Sequence, residues 1–397
     1  MTSTLLQQRT IFEDPSQVAL FLPLGEGHAA LHPGGRFALA VDPRTTADAA
    51  IIGMMVLRPA VRSWLPRFDA DGSARDVRDT RDAQHVHDLR DMQQIDDWCF
   101  DVAGIGGSWP ISAGNAFDAY RLALQYGTVD AVMDGSSTIV REGVESRGRR
   151  AHLWQPYTPL SWPSLRALRT TLEPQIARIR SRWQELGVLS SRRYPAQIAV
   201  TQSGAPAGLS AALLEGSTAD LLDARIFDAR HPDGSPVEAY VLTSSAGAEK
   251  LSRRAKARGQ NIDSKIIEAS AAGDPETIDL ARVPELLRTR LDLRMVQHDG
   301  GATSLAAFAA AGAISQLNFT LMRNRSVRDV LAATDRIDDA ARKRALEEWP
   351  AHARLFPPGG GPLPGKLAQA VAEQGDGAEG VAVVLNMRSA SVATGAQ

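Results

Sequence analysis

The sequence predicts an α/β protein built on a largely parallel sheet with helices on both faces, and three observations carry that expectation. From about residue 98 onward, short apolar runs alternate with stretches of helical periodicity. Several of these runs pass straight into glycine- or hydroxyl-rich turns that lead toward the next helix. A chain of 397 residues, 44% of them apolar, can also bury a large core.

Taken in order, residues 1–95 have their own logic and are expected to form an N-terminal extension. Within them, residues 18–22 and 37–41 read as strands set apart by Gly and Pro. Residues 47–57 read as a buried helix or strand that Pro59 ends. Residues 69–97, rich in Asp and Arg, suit an exposed helix laced by ion pairs or a surface segment.

The main α/β unit is expected over 96–325. It opens with a strand at 100–105 and a helix at 113–125, whose Phe117, Tyr120, Leu122 and Leu124 fall at helical spacing. Val129-Asp130-Ala131-Val132-Met133 is a short buried strand running into Asp134-Gly135. Further strands are expected at 197–201, 239–243, 265–268, 293–297 and 317–321, and helices at 246–257, 275–290 and 303–311. An insertion at about 145–194 holds Trp154, Trp162, Trp183 and an amphipathic helix at 165–186. The remainder, 326–397, reads as a helix at 326–348, a Gly/Pro loop at 357–362, a last strand at 380–385 and a tail.

Composition narrows the function classes. The net charge is −2 and no basic stripe stands out, so a nucleic-acid partner is not expected. The lone cysteine, Cys99, allows neither an intrachain disulfide nor a thiolate zinc cluster. His85-Val86-His87-Asp88 lies in a charged stretch and reads as surface rather than as a metal site. No apolar run approaches the roughly 18 residues of a membrane span, and the N-terminus lacks the order of a signal peptide. A cytoplasmic protein without a membrane partner is the expectation.

Two turns have the make-up of a phosphate site. In the first, Asp134-Gly135-Ser136-Ser137-Thr138, a glycine lets backbone approach an anion beside three hydroxyls. In the second, Val296-Gln297-His298-Asp299-Gly300-Gly301-Ala302-Thr303-Ser304, two glycines precede an alanine-rich helix and leave its first N–H groups free for an anion. Each alone also reads as a tight connection; the pair, in one alternating pattern, is the stronger signal. His298 beside Asp299 reads either as a proton donor or as a strand-end histidine satisfied by backbone. Trp109, Trp154 and Trp162 read as packing residues more readily than as stacking platforms, and Arg149-Arg150 as a solvated loop more readily than a phosphate clamp.

Residues about 98–322 resemble the reductase domain of riboflavin biosynthesis, the RibD C-terminal domain family, which shares the dihydrofolate reductase fold. The resemblance rests on the Asp130-Ala131-Val132 to Thr138 turn, the Ile198-Ala199-Val200-Thr201-Gln202-Ser203-Gly204 strand, and the Val241-Leu242-Thr243-Ser244 strand. It is completed by Gln297-His298-Asp299-Gly300-Gly301 to Leu305, with Ala311-Gly312 to Leu321 after it. It implies a dihydrofolate reductase-like fold, a homodimer, and hydride transfer from NADPH to a ribosylated pyrimidine or related nitrogen heterocycle. On that likeness Gly135, Ser136, Ser137, Thr138, Thr201, Gly204 and Thr243 would face NADPH, and Gly300, Gly301, Ala302 and Thr303 would hold its pyrophosphate. Asp299, with His298 beside it, would be catalytic.

The chain departs from the family at Gly104-Ile105-Gly106-Gly107, where an acidic turn is usual, and at Ser315-Gln316 and Met322 to Arg325. It also lacks the H-x-E and P-C-x-x-C pattern of the deaminase partner. A protein that keeps the fold without reduction, as a binding scaffold or a non-redox enzyme, is the competing expectation.

Overall fold

The computed structural model describes residues 7–24, 36–59, 98–99, 124–136, 139, 169–204, 221–223, 227, 230–231, 233–300, 302–322, 365–375 and 378–388. In chain order its strands begin with β1 (Gln7–Glu13), β2 (Leu20–Pro23), β3 (Arg36–Leu39), β4 (Ala50–Pro59), β5 (Trp98–Cys99) and β6 (Ala131–Gly135). Helix α1 (Arg169–Glu185) follows, then β7 (Ala196–Val200), β8 (Ala239–Thr243) and α2 (Ser245–Ala257). Next come β9 (Ile266–Glu268), β10 (Ser270–Ala271), β11 (Asp274–Ile278), α3 (Val283–Leu291), β12 (Met295–His298) and α4 (Ala302–Ala310). The chain closes with β13 (Gln316–Met322), β14 (Lys366–Gly375) and β15 (Ala378–Asn386).

The large sheet runs in the order β1-β14-β15-β13-β4-β12-β6-β7-β8-β9. From β13 to β9 every pairing is parallel. The other end is antiparallel, through β13–β15, β15–β14 and β14–β1. Parallel strands need both faces covered, and these are. On one face α3 and α4 bring Val283, Leu287, Leu305 and Phe308 against Ile51, Met133, Ile198 and Val296. On the other, α1 and the β2–β3 hairpin enclose Ile52, Val132 and Met295. Farther along that face α2 sets Leu251 and Ala255 on Ala199 and Val241. Trp183 of α1, fully buried, packs against Phe37 and donates its indole N–H to Pro23 O at 3.0 Å, pinning the hairpin.

Strong apolar runs produced the expected strands. The match is close at β8, β7, β12 and β13, and α2 and α4 fall within a residue or two of expectation. The expected helix at 275–290 is corrected. Gly273, at φ +77°, turns the chain from β10 into the exposed strand β11, and the helix begins only at Val283, where Pro284 occupies its first turn. The ambiguous run at 47–57 resolves as β4, which lies between β13 and β12 at the middle of the sheet. The expected division at about residue 95 therefore cuts across one sheet. Strand β14 was not foreseen at all. The expected strand at 100–105, helix at 326–348 and loop at 357–362, with nearly all of the helix at 113–125, lie outside the described residues. None of the helices searched among the described residues is long and apolar enough to cross a membrane.

Candidate functional site at the carboxyl edge of the sheet

Because β12, β6, β7 and β8 are adjacent and parallel, their carboxyl ends share one edge. Ligands of open α/β sheets bind along such an edge. It carries Gly300 after β12, Gly135 and Ser136 at the end of β6, Thr201 to Gly204 after β7, and Thr243 at the end of β8. The residues expected to face a cofactor are thus brought together, strand by strand. Ser137, Thr138 and Gly301 lie outside the described residues, and Ala302 and Thr303 are placed by their backbone in the first turn of α4.

The glycines at this edge serve different ends. Among the described residues nothing lies within 4 Å of where a Cβ on Gly135 would stand, so none of them fills the space above β6. At Gly300 a Cβ would meet Cε1 of His298 at 2.6 Å and Cβ of Ser304 at 3.1 Å. Gly204 has φ +72° and sits on the carbonyl of Gly247, while a Cβ on Gly247 would strike Oγ1 of Thr243 and the carbonyl of Gln202. The loop after β7 is therefore pressed onto the first turn of α2.

Hydrogen bonds hold that contact. Oγ1 of Thr243 and Oγ of Ser244 both donate to Gln202 O, at 3.3 and 2.7 Å, and Arg254 donates to Gly204 O at 3.0 Å. Ser244 caps α2 by accepting from Gly247 N at 3.0 Å. Thr243 and Gly204, expected to touch a cofactor, act here as fasteners between β7 and α2.

His298 departs further from expectation. It is fully buried on the α4 side of the sheet, edge-on to Phe308 at 4.7 Å. Its Nδ1 accepts from Gly300 N at 3.2 Å, which assigns the ring proton to Nε2 and makes it the donor to Oγ of Ser304 at 3.1 Å. Burial pushes its pKa down to about 4. A neutral imidazole with both nitrogens engaged is a strut between β12 and α4, not a proton donor at neutral pH. The sequence hinted at this with Ser304 six residues on, but the sheet face of His298 was needed to see it.

Asp299 is half-buried, with its backbone N–H on Met133 O at 2.9 Å, which fixes the turn to β6. By strand alternation it lies on the sheet face opposite His298. Asp134, which the sequence treated only as part of the turn, is 2% exposed and accepts from Gly135 N at 2.6 Å. Two carboxylates therefore stand at the ends of adjacent strands. His85, His87, Trp109, Trp154, Trp162, Arg149 and Arg150 lie outside the described residues, and no metal-holding group of three occurs among the described ones.

The opposite, amino edge is built for rigidity. Asp130 is fully buried and accepts four bonds, from N and Oγ of Ser190 at 2.9 and 2.7 Å and from N of Arg294 and Met295 at 2.8 and 3.2 Å. Arg180, its pKa lowered by burial to about 10, donates to Val129 O and Arg192 O. Arg192 then grips Glu238 with Nε and Nη2.

No protein-family model and no curated protein matches the chain. Among solved structures, a pyrimidine reductase-like protein from Corynebacterium diphtheriae is similar at 12% identity and TM-score 0.39, over 85% of this chain and 91% of that one. RibD of Acinetobacter baumannii is similar at 12% identity and TM-score 0.33, over 86% of this chain and 58% of that one. A riboflavin biosynthesis reductase from Saccharomyces cerevisiae is similar at 9% identity and TM-score 0.32, over 86% and 91% of the two chains.

Proposed function

We propose that the chain is a dihydrofolate reductase-like protein that binds NADPH along the carboxyl edge of its parallel strands and reduces a ribosylated pyrimidine or related nitrogen heterocycle. The observation that carries the reading is the space over Gly135 that no described residue fills, at the end of β6 and beside the turn into α4. An extended dinucleotide needs one place where backbone is approachable, next to a helix start whose free N–H groups favour an anion. The order of the motifs along the chain, which resembles the pyrimidine reductase family, supports the nicotinamide over other phosphates.

When bound, NADPH supplies the hydride. The protein's share is to hold it: Gly135 gives access, the first turn of α4 offers donors to the pyrophosphate, and Asp299 and Asp134 face the side where substrate would lie. Because His298 is a strut, any proton needed by the product comes from another group or from water. Two copies pairing through their sheets remains part of this reading.

The engaged, neutral His298 also favours the second reading, a fold kept for binding without reduction. Titration with NADPH, followed by nicotinamide fluorescence, tests the first step. Saturable enhancement at micromolar NADPH is expected, and no change up to high micromolar concentration would remove the reductase reading. Binding without oxidation across a panel of ribosylamino-pyrimidines would favour the second.

A further inference from the structure

Two helices that start at the carboxyl edge lie on opposite faces of the sheet. Helix α4, after β12, sets Leu305 and Phe308 on the face of Val296 and Leu242, and α2, after β8, sets Leu251 and Ala255 on the face of Ala199 and Val241. Strands β6 and β7 lie between β12 and β8, so the two helix starts are separated by three strand spacings, roughly 14 Å. A change of face of this kind is where open α/β sheets take dinucleotides. A dinucleotide with its pyrophosphate at α4 and its nicotinamide beside Asp134 and Asp299 therefore carries its adenosine half across β7 toward α2.

The start of α2 is already occupied by the protein's own groups. Oγ of Ser244 accepts from Gly247 N at 3.0 Å, and Ser245 N donates to Oγ of Ser270 at 2.6 Å. Beside them stands an exposed carboxylate. Glu268 is the last residue of β9, in register with Thr243 of β8, and its Oε1 accepts from Oγ of Ser245 at 2.5 Å. The hydroxyls of Ser245 and Ser270 are 2.6 Å apart, so one negative charge and two hydroxyls stand together. The four basic residues of α2 are engaged elsewhere: Lys250 with Glu276, Arg253 with Glu249, Lys256 with Asp263, and Arg254 with Gly204 O.

A ribose 2′-hydroxyl donates well to a carboxylate, whereas a 2′-phosphate brings further negative charge against it. We propose that Glu268 reads the 2′ position of the cofactor's adenosine ribose and favours the hydroxyl, so that NADH is the better ligand and NADPH the weaker one. The inference rests on the reading of this edge as a nicotinamide-dinucleotide site and refines it. It also parts from what the resemblance alone implies, which is a preference for NADPH.

The test titrates the full chain with NADH and with NADPH, followed by nicotinamide fluorescence, in wild type and in Glu268→Gln. Wild type is expected to bind NADH at least about tenfold more tightly, since the repulsion acts on one ligand only. Glu268→Gln keeps the size and an acceptor for Ser245 and removes the charge. It is expected to tighten NADPH, to change NADH by no more than about threefold, and so to bring the two affinities together. Displacement of NADH by 5′-AMP is expected to be stronger than by adenosine 2′,5′-bisphosphate in wild type, which places the effect in the adenosine half.

Equal or tighter binding of NADPH in wild type, an unchanged ratio in Glu268→Gln, or the reverse order of the two fragments would each overturn the proposal and leave the cofactor reading standing. A variant that loses both dinucleotides while wild type binds them would mark Glu268 as structural and overturn it as well. Binding of neither dinucleotide by wild type would overturn both readings.

Discussion

At the scale of the residue, glycine carries three separate arguments along one edge. Gly204→Ala must place a Cβ at positive φ against the Gly247 carbonyl, and Gly300→Ala must push aside His298. Both are expected to lower stability, by roughly 1–3 kcal/mol, in urea unfolding. The Cβ of Gly135→Leu meets no described atom within 4 Å, so its stability is expected to stay within about 1 kcal/mol of wild type in urea unfolding. Sequence alone gave the three the same meaning, since only the neighbours distinguish a crowded glycine from an open one.

His298 makes the same point about charge. Burial holds its folded value near 4 against 6.5 when free, so the unfolded chain takes up the proton first as pH falls. The stability linked to it is complete above about pH 6.5 and is lost progressively between there and pH 4. By about pH 5 that share amounts to about 2 kcal/mol. His298→Gln should therefore lose less stability than wild type between pH 7 and pH 5, measured by urea midpoints; an identical pH slope would contradict a buried neutral ring. Adjacent to Asp299 in sequence, His298 looked like its chemical partner. Strand alternation puts the two on opposite faces.

At the scale of the element, the legible parts were those with long apolar runs or a cap. Strand β8 and helix α2 were readable because Ala239–Thr243 is apolar and β-branched and Ser244 supplies an N-cap. Ser244→Ala loses both the cap and the bond to Gln202 O, and should cost about 1–2 kcal/mol in thermal or urea unfolding. Strand β14 was illegible because its buried residues include Ala368 and Ala370, and alanine carries little strand signal. Strand β11 was illegible for the reverse reason: it is almost wholly exposed, and its pairing with β10 and the Lys250–Glu276 ion pair to α2 are contacts that local periodicity does not record. The Asp130 hub could not be read either, because its four donors come from Ser190, Arg294 and Met295, distant in sequence. Asp130→Asn turns a donor toward these N–H groups and should destabilise by about 3 kcal/mol.

At the scale of the whole molecule, the two edges of one parallel sheet divide the work. The amino edge is closed by the buried hydrogen bonds of Asp130 and Arg180 and by the partly exposed Arg192–Glu238 ion pair, and the carboxyl edge combines tight fasteners with a place above β6 that no described residue fills. A rigid sheet holding its loops at one edge is the general arrangement for a ligand site in this fold class. What the sequence conveyed was the alternation and the edge. The central position of β4 was missed, because parallel order depends on crossovers that local periodicity does not record.

The cradle at Gly135 is tested most directly by measuring NADPH affinity, through nicotinamide fluorescence, for wild type and Gly135→Leu side by side. Wild type should bind, and the variant, folded and equally stable, should bind at least about tenfold more weakly because the leucine fills the space that backbone access requires. Equal affinities for the two proteins would contradict the placement of the cofactor on this edge.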